Sequence, residues 1–195
     1  MNILPRSFYA QDTVTVAKEL LGKRLVRKTN NLEMSGIIVE TEAYRNNDDP
    51  ASHAFKRITE RNKAMFEEVG KAYIYFTYGM HYCFNVVAKS PKFNAGAVLI
   101  RAIIPENGIK MMEKNRGAKD MKKLTDGPGK LTKALAITKK HYGVDLTRDS
   151  ELFIAEGWKT LGRINASPRI GIKNGTDRLW NFKISPIPNW ANQST

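Results

Sequence analysis

The sequence predicts an α+β fold. It would be a single mixed domain over residues 1–195, built around a curved, mainly antiparallel β-sheet with flanking helices and a protruding β-hairpin. Three observations predict it. Strand-like runs come before and after a helical stretch, without the regular βαβ alternation that marks a parallel sheet. The segment KAYIYFTYGMHYCFNVVAK (71–89) is dense in Tyr, Phe, Ile and Val and is broken at its middle by YGMH, the pattern of a hairpin. A length of 195 residues, 42% of them hydrophobic and 26% charged, suits one soluble domain with a real core.

In chain order, DTVTVAKELLG (12–22) reads as a helix with Asp12 as N-cap and Gly22 as stop. KRLVRK (23–28) and MSGIIVETEAY (34–44) read as strands joined by the polar turn TNNLE. RNNDDPASHAFKR (45–57) has turn chemistry and no clean period, so an ordered loop is expected. RNKAMFEEVG (61–70) suits a short helix ending at Gly70. The hairpin of 71–89 follows, then the buried strand GAVLIRAIIP (96–105). ENGIKMMEKNRG (106–117) and GPGKLTKALAIT (127–138) suit helices. ELFIAEG, KTLGRINAS and RIGI in the tail suggest further short strands.

The chain carries 32 Lys and Arg against 19 Asp and Glu, a net charge of +13. That favours a polyanionic partner, with nucleic acid first and an anionic membrane surface second. The excess is local: residues 1–50 hold seven basic and seven acidic groups, whereas 110–140 hold ten basic against three acidic. A basic helical face can be merely solvated, but the whole-chain bias brings a binding role into view. Cys83 is the single cysteine, which excludes an intrachain disulfide scaffold, and its apolar setting YCFNVV suits a packed thiol. No run of 18 apolar residues exists to make a membrane helix. MNILPRSFYAQD lacks the basic start and apolar stretch of a signal peptide. A soluble cytoplasmic protein is therefore expected.

The segment IIVETEAY (37–44) places two carboxylates in an apolar strand. Alternation puts Ile38, Glu40, Glu42 and Tyr44 on one face and Ile37, Val39, Thr41 and Ala43 on the other. Either the glutamates pair with Arg or Lys on an exposed face, or the strand borders a cleft. Nearby residues favour a cleft. His53 lies in the loop after the strand, and the hairpin supplies Tyr73, Tyr75, Tyr78, His81 and Tyr82. Most aromatic stripes in strands are core, yet Tyr78 stands at the turn beside Gly79, where an exposed ring could stack on a nucleobase. Arg101 interrupts VLIRAII and needs an acidic partner, for which Glu40 and Glu42 are candidates.

These segments resemble the alkyladenine (3-methyladenine) DNA glycosylases of the methylpurine-DNA glycosylase type. The resemblance runs from about Leu4 to Pro186 in eight ordered blocks: LGK, IVETEAY, ASHA, RNKAMF, YIYFTYGMHYCFNVV, VLIRA, DGPGKLTKALAI and SPRIGI. It implies a monofunctional DNA-repair hydrolase that flips damaged purines, alkylated or deaminated, out of double-stranded DNA and cleaves the N-glycosidic bond. It implies that Glu42 is the general base that activates a water, with Arg101 helping to hold it, and that Glu40 is structural. Tyr44 and His53 would stack on the flipped base, and Tyr75 would contact it. Asn85 would disfavour the amino group of guanine, and Tyr78 would enter the minor groove and fill the gap. No metal or organic cofactor is implied. The fold implied is one mixed domain around an antiparallel sheet. A monomer suits one DNA site, and a bacterial member would work at the nucleoid.

The chain departs from the family pattern in one loop. Arg45, Asn46 and Asn47 stand where a Gly-Pro pair often follows the EAY block, and Glu60 stands where a Pro often precedes Arg-Asn. Substrate range is what those changes bear on. Two other readings remain open from the sequence. A non-catalytic nucleic-acid-binding protein could retain the fold, although binding alone needs no carboxylate. A lysine-nucleophile glycosylase would need a suitable lysine, and none lies within the ETEAY or hairpin motifs, Lys71 and Lys89 only flanking the hairpin.

Overall fold

The computed structural model describes residues 1–29, 32–77, 79–158 and 162–186. It is α+β, with all strand pairs antiparallel. Strands β1 (Arg24–Thr29), β2 (Leu32–Arg45), β3 (Ala72–Thr77), β4 (His81–Val87), β5 (Gly96–Asn107) and β6 (Leu152–Ala155) lie in the order β3-β4-β5-β2-β1-β6. Strand β7 (Ile164–Ser167) pairs with β8 (Asn181–Ile184), and β8 pairs with β2. Helices α1 (Arg6–Tyr9), α2 (Thr13–Glu19), α3 (Ile109–Arg116) and α4 (Pro128–Ala134) flank this curled sheet.

β2 organises the sheet because it is long enough to take two partners along one edge. Its first half pairs with β1 from Leu32 to Ile37, and its second half pairs with β8 from Glu40 to Glu42. Its other edge pairs with β5 from Ser35 to Arg45. Besides a shift at its start, between Ser35 and Gly36, the β2–β5 register has two adjoining shifts, the first between Ile38 and Glu40, the second between Glu40 and Thr41. The first shift leaves Val39 as an extra residue on β2, and the second leaves Arg101 as an extra residue on β5. Such bulges raise local twist and re-aim side chains. The unbroken alternation expected through IIVETEAY is thus interrupted at Val39, and Ile37, Ile38 and Val39 all join the main core.

Beyond the bulges, a strict period of two divides the sheet into faces. Ala72 and Ile74, Phe84 and Val86, Val98 and Ile100, and Ala43 face the main core. There they meet Val16, Ala17, Leu20 and Leu21 around α2, Met112 of α3, and Leu131 and Ala134 of α4. Tyr73, Val87 and Ala97 face the other way and pack with Ala54, Ala64 and Met65 from the 45–66 loop. That second cluster backs the site described below.

Local sequence explains most boundaries. Asp12 caps α2, its Oδ1 accepting from the amides of Val14 (2.9 Å) and Thr15 (3.4 Å). Gly22 takes the left-handed φ of 83° that ends the turn. Several expectations need correction. The 61–70 helix is only a 3₁₀ turn, Lys63–Phe66. Asn62 ties that segment back to the loop by donating to the carbonyls of His53 (2.6 Å) and Arg57 (2.9 Å). The helix expected from residue 106 starts at Ile109, because β5 continues to Asn107 opposite Ser35 and Glu106 is held by Arg24 at 2.7 Å. The 127–138 helix stops at Ala134, and Ala136 turns to φ 52°. RIGI is a loop, not a strand, while β8 at NFKI and the short α1 were not anticipated. Asn30 and Asn31 of the expected turn lie outside the described residues.

Tyr9, the last residue of α1, is fully buried, and its hydroxyl makes no hydrogen bond among the described residues. Burial, with Asp145 adding to it, pushes the phenol well above its ordinary pKa. A buried hydroxyl without a partner costs stability. Tyr9→Phe is therefore expected to raise unfolding free energy by about 1 kcal/mol or leave it unchanged. Urea denaturation checks this, and a clear loss would mean that the hydroxyl is bonded in solution.

Candidate active site

The face of the sheet opposite the main core forms the floor of a cleft of about 590 Å³. The register sets Tyr73, Asn85, Leu99, Glu42 and Asn181 opposite one another in a single row across five strands. Tyr75, Cys83, Tyr44 and Arg101 flank the row on the same face and also line the cleft. The walls come from the 50–61 loop, from Gly127–Lys130 at the start of α4, and from residues 170–174.

Glu42 lies in the floor with its side chain fully shielded from bulk solvent. Both oxygens are occupied. Oε1 accepts from the Ile170 amide at 2.7 Å and from Asn181 Nδ2 at 3.1 Å. Oε2 accepts from Tyr44 Oη at 2.7 Å and, more loosely, from Arg101 Nη1 at 3.4 Å. The loose bond makes Oε2 the oxygen with capacity for a further donor. Burial and the adjoining carboxylate push the Tyr44 phenol far above its ordinary pKa, so the ring remains a hydrogen-bond donor.

Arg101, the extra residue of the β5 bulge, meets the acidic partners expected of it. Its Nε donates to Glu40 Oε1 at 2.8 Å. Glu40 also accepts from Asn181 Nδ2 at 3.1 Å and lies 3.6 Å from Lys183 Nζ. Burial works against ionisation of Glu40, but the bonds from Asn181 and Arg101 and the charges of Arg101 and Lys183 outweigh it and lower its pKa. Glu40 thus anchors Arg101 and Asn181, both of which touch Glu42.

An aromatic wall stands beside the carboxylate. His53 Nδ1 and Tyr73 Oη are 3.0 Å apart, and the His53 and Tyr75 rings meet edge to face at 4.7 Å. Desolvation, then the Arg61 guanidinium, lowers the His53 imidazole to about 4, although the residue as a whole is exposed. His53 is therefore neutral near pH 7. The Arg61 guanidinium lies 5.2 Å over the Tyr75 ring. Asn85 is buried, its Nδ2 pinned to the carbonyls of Tyr73 (3.0 Å) and Cys83 (3.4 Å). Cys83 is buried beneath the cleft, and that burial raises its thiol pKa. The hairpin closes at Thr77 opposite His81, with Met80 exposed after the turn. Tyr78 itself lies outside the described residues.

The structure therefore brings Glu42, Tyr44, His53, Tyr75, Asn85 and Arg101 to one cleft. It adds residues that sequence reasoning missed. The Ile170 amide is a backbone group, which no side-chain pattern can announce. Asn181 comes from the unforeseen β8. Arg169 and Asp49 form a fully buried ion pair behind Tyr44. Lys130 and Lys173 reach the cleft although no lysine lies in the strand motifs, and Lys130 is engaged by Asp126 at 2.8 Å. In the loop that departs from the family pattern, Arg45 is bound by Asp12 and Asp48, each at 2.7 Å. The Asn46 side chain accepts from the Ala95 amide at 3.1 Å. Among the described residues, no group of three or more His, Cys, Asp or Glu could hold a metal ion, and no helix is long and apolar enough to cross a membrane.

Comparison with known proteins agrees with the resemblance noted in the sequence. The methylpurine-DNA glycosylase family profile matches residues 7–188. A protein of Carboxydothermus hydrogenoformans, provisionally named a 3-methyladenine DNA glycosylase, is 49% identical over 183 residues, covering 93% of this chain and 95% of that one. Proteins with the same provisional name from Clostridium acetobutylicum and Ehrlichia chaffeensis are 44% and 42% identical, covering 93% and 95% of this chain and 93% and 94% of their own. With a family match across nearly the whole chain and relatives of this identity, the chain belongs to the methylpurine-DNA glycosylase family.

Proposed function

We propose that this protein is a monofunctional DNA-repair glycosylase. It turns a damaged purine, alkylated or deaminated, out of duplex DNA and hydrolyses the N-glycosidic bond with a water activated by Glu42. The observation that carries this reading is the Glu42 carboxylate: shielded from solvent, held by four donors, and set in the floor of an aromatic cleft. Binding alone would not call for a carboxylate so placed.

In the reaction the water oxygen bonds to C1′ as the bond from C1′ to the purine nitrogen breaks. The bonding pair leaves with the purine, and the water's proton passes to Glu42. The sugar becomes oxocarbenium-like on the way, as in inverting glycoside hydrolysis, and an anionic carboxylate stabilises that charge. Oε2 takes the proton, since its contact with Arg101 is the weakest of the four. An alkylated purine such as 3-methyladenine carries positive charge, so the electron-rich rings of Tyr44 and Tyr75 favour it, with His53 on the flank. Asn85, pinned by two carbonyls, cannot swing aside for the 2-amino group of guanine. A monomer acting on double-stranded DNA needs nothing beyond this cleft and a basic surface. The reaction draws on no cofactor.

Glu42→Gln is expected to lower single-turnover base release by about 10²–10⁴-fold while leaving DNA binding nearly intact, because the amide cannot take the proton. Glu40→Gln costs much less. Full turnover by the Glu42 variant in an assay of purine release would remove the general-base assignment.

Tyr78, which follows Thr77 in the sequence, fills the gap left by the flipped base, whose unstacking costs a few kcal/mol. Tyr78→Ala weakens flipping for every lesion, and less on single-stranded targets. Tyr44→Ala instead changes the preference among lesions. A fluorescent base analogue in the duplex reports flipping directly, and an unchanged signal from the Tyr78 variant would end the wedge role.

Lys122 and Lys123 are exposed on a 3₁₀ turn between α3 and α4. Replacing both with Ala weakens binding to all DNA sequences alike and reduces the salt slope by about one unit for each phosphate that is no longer neutralised. Titrations at several salt concentrations measure this, and an unchanged slope would leave the two as solvated charges.

A further inference from the structure

The SPRIGI segment (167–172) holds a charged group for which the chemistry above has no use. The Arg169 side chain has no exposure, nor has that of its partner Asp49. Their contact is bidentate, Nη1 to Oδ2 at 2.6 Å and Nη2 to Oδ1 at 2.7 Å. Nη1 also donates to the Ala43 carbonyl at 2.9 Å, and Nε has no partner among the described residues. Replacing a buried ion pair by apolar groups of similar volume is often neutral or stabilising, so stability does not account for this pair.

Its neighbours account for it better. The guanidinium stacks 4.6 Å from the Tyr44 ring centre and 5.1 Å from that of Trp180. Tyr44 donates to Glu42 Oε2. Trp180 precedes Asn181, which donates to Oε1. The residue after Arg169 is Ile170, whose amide donates to Oε1. The Ala43 carbonyl that Arg169 grips lies between Glu42 and Tyr44 in the strand. One side chain therefore touches, or is bonded next to, three of the four donors to Glu42. The fourth, Arg101, is fixed independently by Glu40. Gly171, at φ 75°, follows directly, so little in the local backbone would hold the Ile170 amide in place without the ion pair. Asp49 in turn accepts from the amides of Arg45 (3.3 Å) and Ala51 (3.2 Å), which fixes it to the loop that carries His53.

We propose that Arg169, clamped by Asp49, is a positioning residue that holds the Glu42 carboxylate and the Tyr44 ring as one unit; this rests on Glu42 being the general base. It touches neither water nor base. Its work is geometric, and a misplacement of about 1 Å in a catalytic group can cost about 10²-fold in rate.

The test measures single-turnover release of 3-methyladenine from methylated duplex DNA. Beside it stand affinity for a duplex with a tetrahydrofuran abasic analogue and the unfolding transition of each variant. Arg169→Ala is expected to lose about 10–10²-fold in rate, keep abasic-duplex affinity within about twofold and recover rate when millimolar guanidinium is added. Guanidinium should do nothing for Glu42→Gln. Arg169→Lys, which keeps the charge but cannot grip both Asp49 oxygens and the Ala43 carbonyl in one plane, is expected to lose about tenfold or more and serves if the Ala variant does not fold. Parental rate in a folded Arg169→Ala variant or in Arg169→Lys overturns the proposal. So does loss of rate together with abasic-duplex affinity and no guanidinium rescue, which marks a merely structural residue. If the parent protein releases no base, or Glu42→Gln releases it at the parental rate, the general-base reading itself has failed, an outcome distinct from failure of Arg169 alone.

Discussion

A carboxylate with no solvent exposure must have its charge met by protein donors, because leaving it uncompensated costs several kcal/mol. Glu42 imposes that requirement on the whole molecule. Tyr44 answers from the same strand, while Arg101, Ile170 and Asn181 answer from 59, 128 and 139 residues away. Each donor is in turn restrained: Arg101 and Asn181 by Glu40, Ile170 by the anchored residue before it, and Tyr44 by the guanidinium stacked on its ring. The sheet, the 45–51 loop and the 168–172 loop meet where one buried charge needs them.

The paired bulges show how the sheet accommodates this. One extra residue on β2, Val39, is followed at once by one extra residue on β5, Arg101, so the ladder regains its register by Thr41 and Ile100. Between the two irregularities sits Glu40, bonded to the displaced Arg101. Without the compensation, a slip of one residue would send Glu42 and Tyr44 to the core face. With it, the apolar side of β2 still meets α2, where Thr41 Oγ1 donates to the Ala17 carbonyl at 2.7 Å. The local distortion aims a guanidinium at two carboxylates and leaves the rest of the strand in phase.

Much of this was legible in the sequence because period-two alternation reports directly on which side chains share a face. Glu42 and Tyr44, Tyr73 and Tyr75, and Cys83 and Asn85 sort onto the cleft face by counting alone, and Arg101 was conspicuous as a charge in an apolar run. What stayed hidden had no period. The Ile170 amide has no side-chain signature, and RIGI resembles a strand because Ile170 and Ile172 alternate about Gly171. Asn181 depends on a pairing across 139 residues. The helix read at 61–70 failed because Asn62 spends its side chain on loop carbonyls, a tertiary bond that outweighs helical propensity in so short a segment.

The pairing of β8 with the second half of β2 has a consequence for the order in which the molecule is assembled. Domains form as the chain emerges from its N-terminus, and contacts between distant residues form late because closing the intervening loop costs entropy. A nascent chain that has reached β6 holds the first six strands, the aromatic wall and the basic 110–140 segment. It does not yet hold Ile170 or Asn181, and so lacks both donors to one oxygen of Glu42. The basic segment and the aromatic wall are therefore synthesised before both donors to Oε1, and the surroundings of the buried carboxylate are completed by the last part of the described chain.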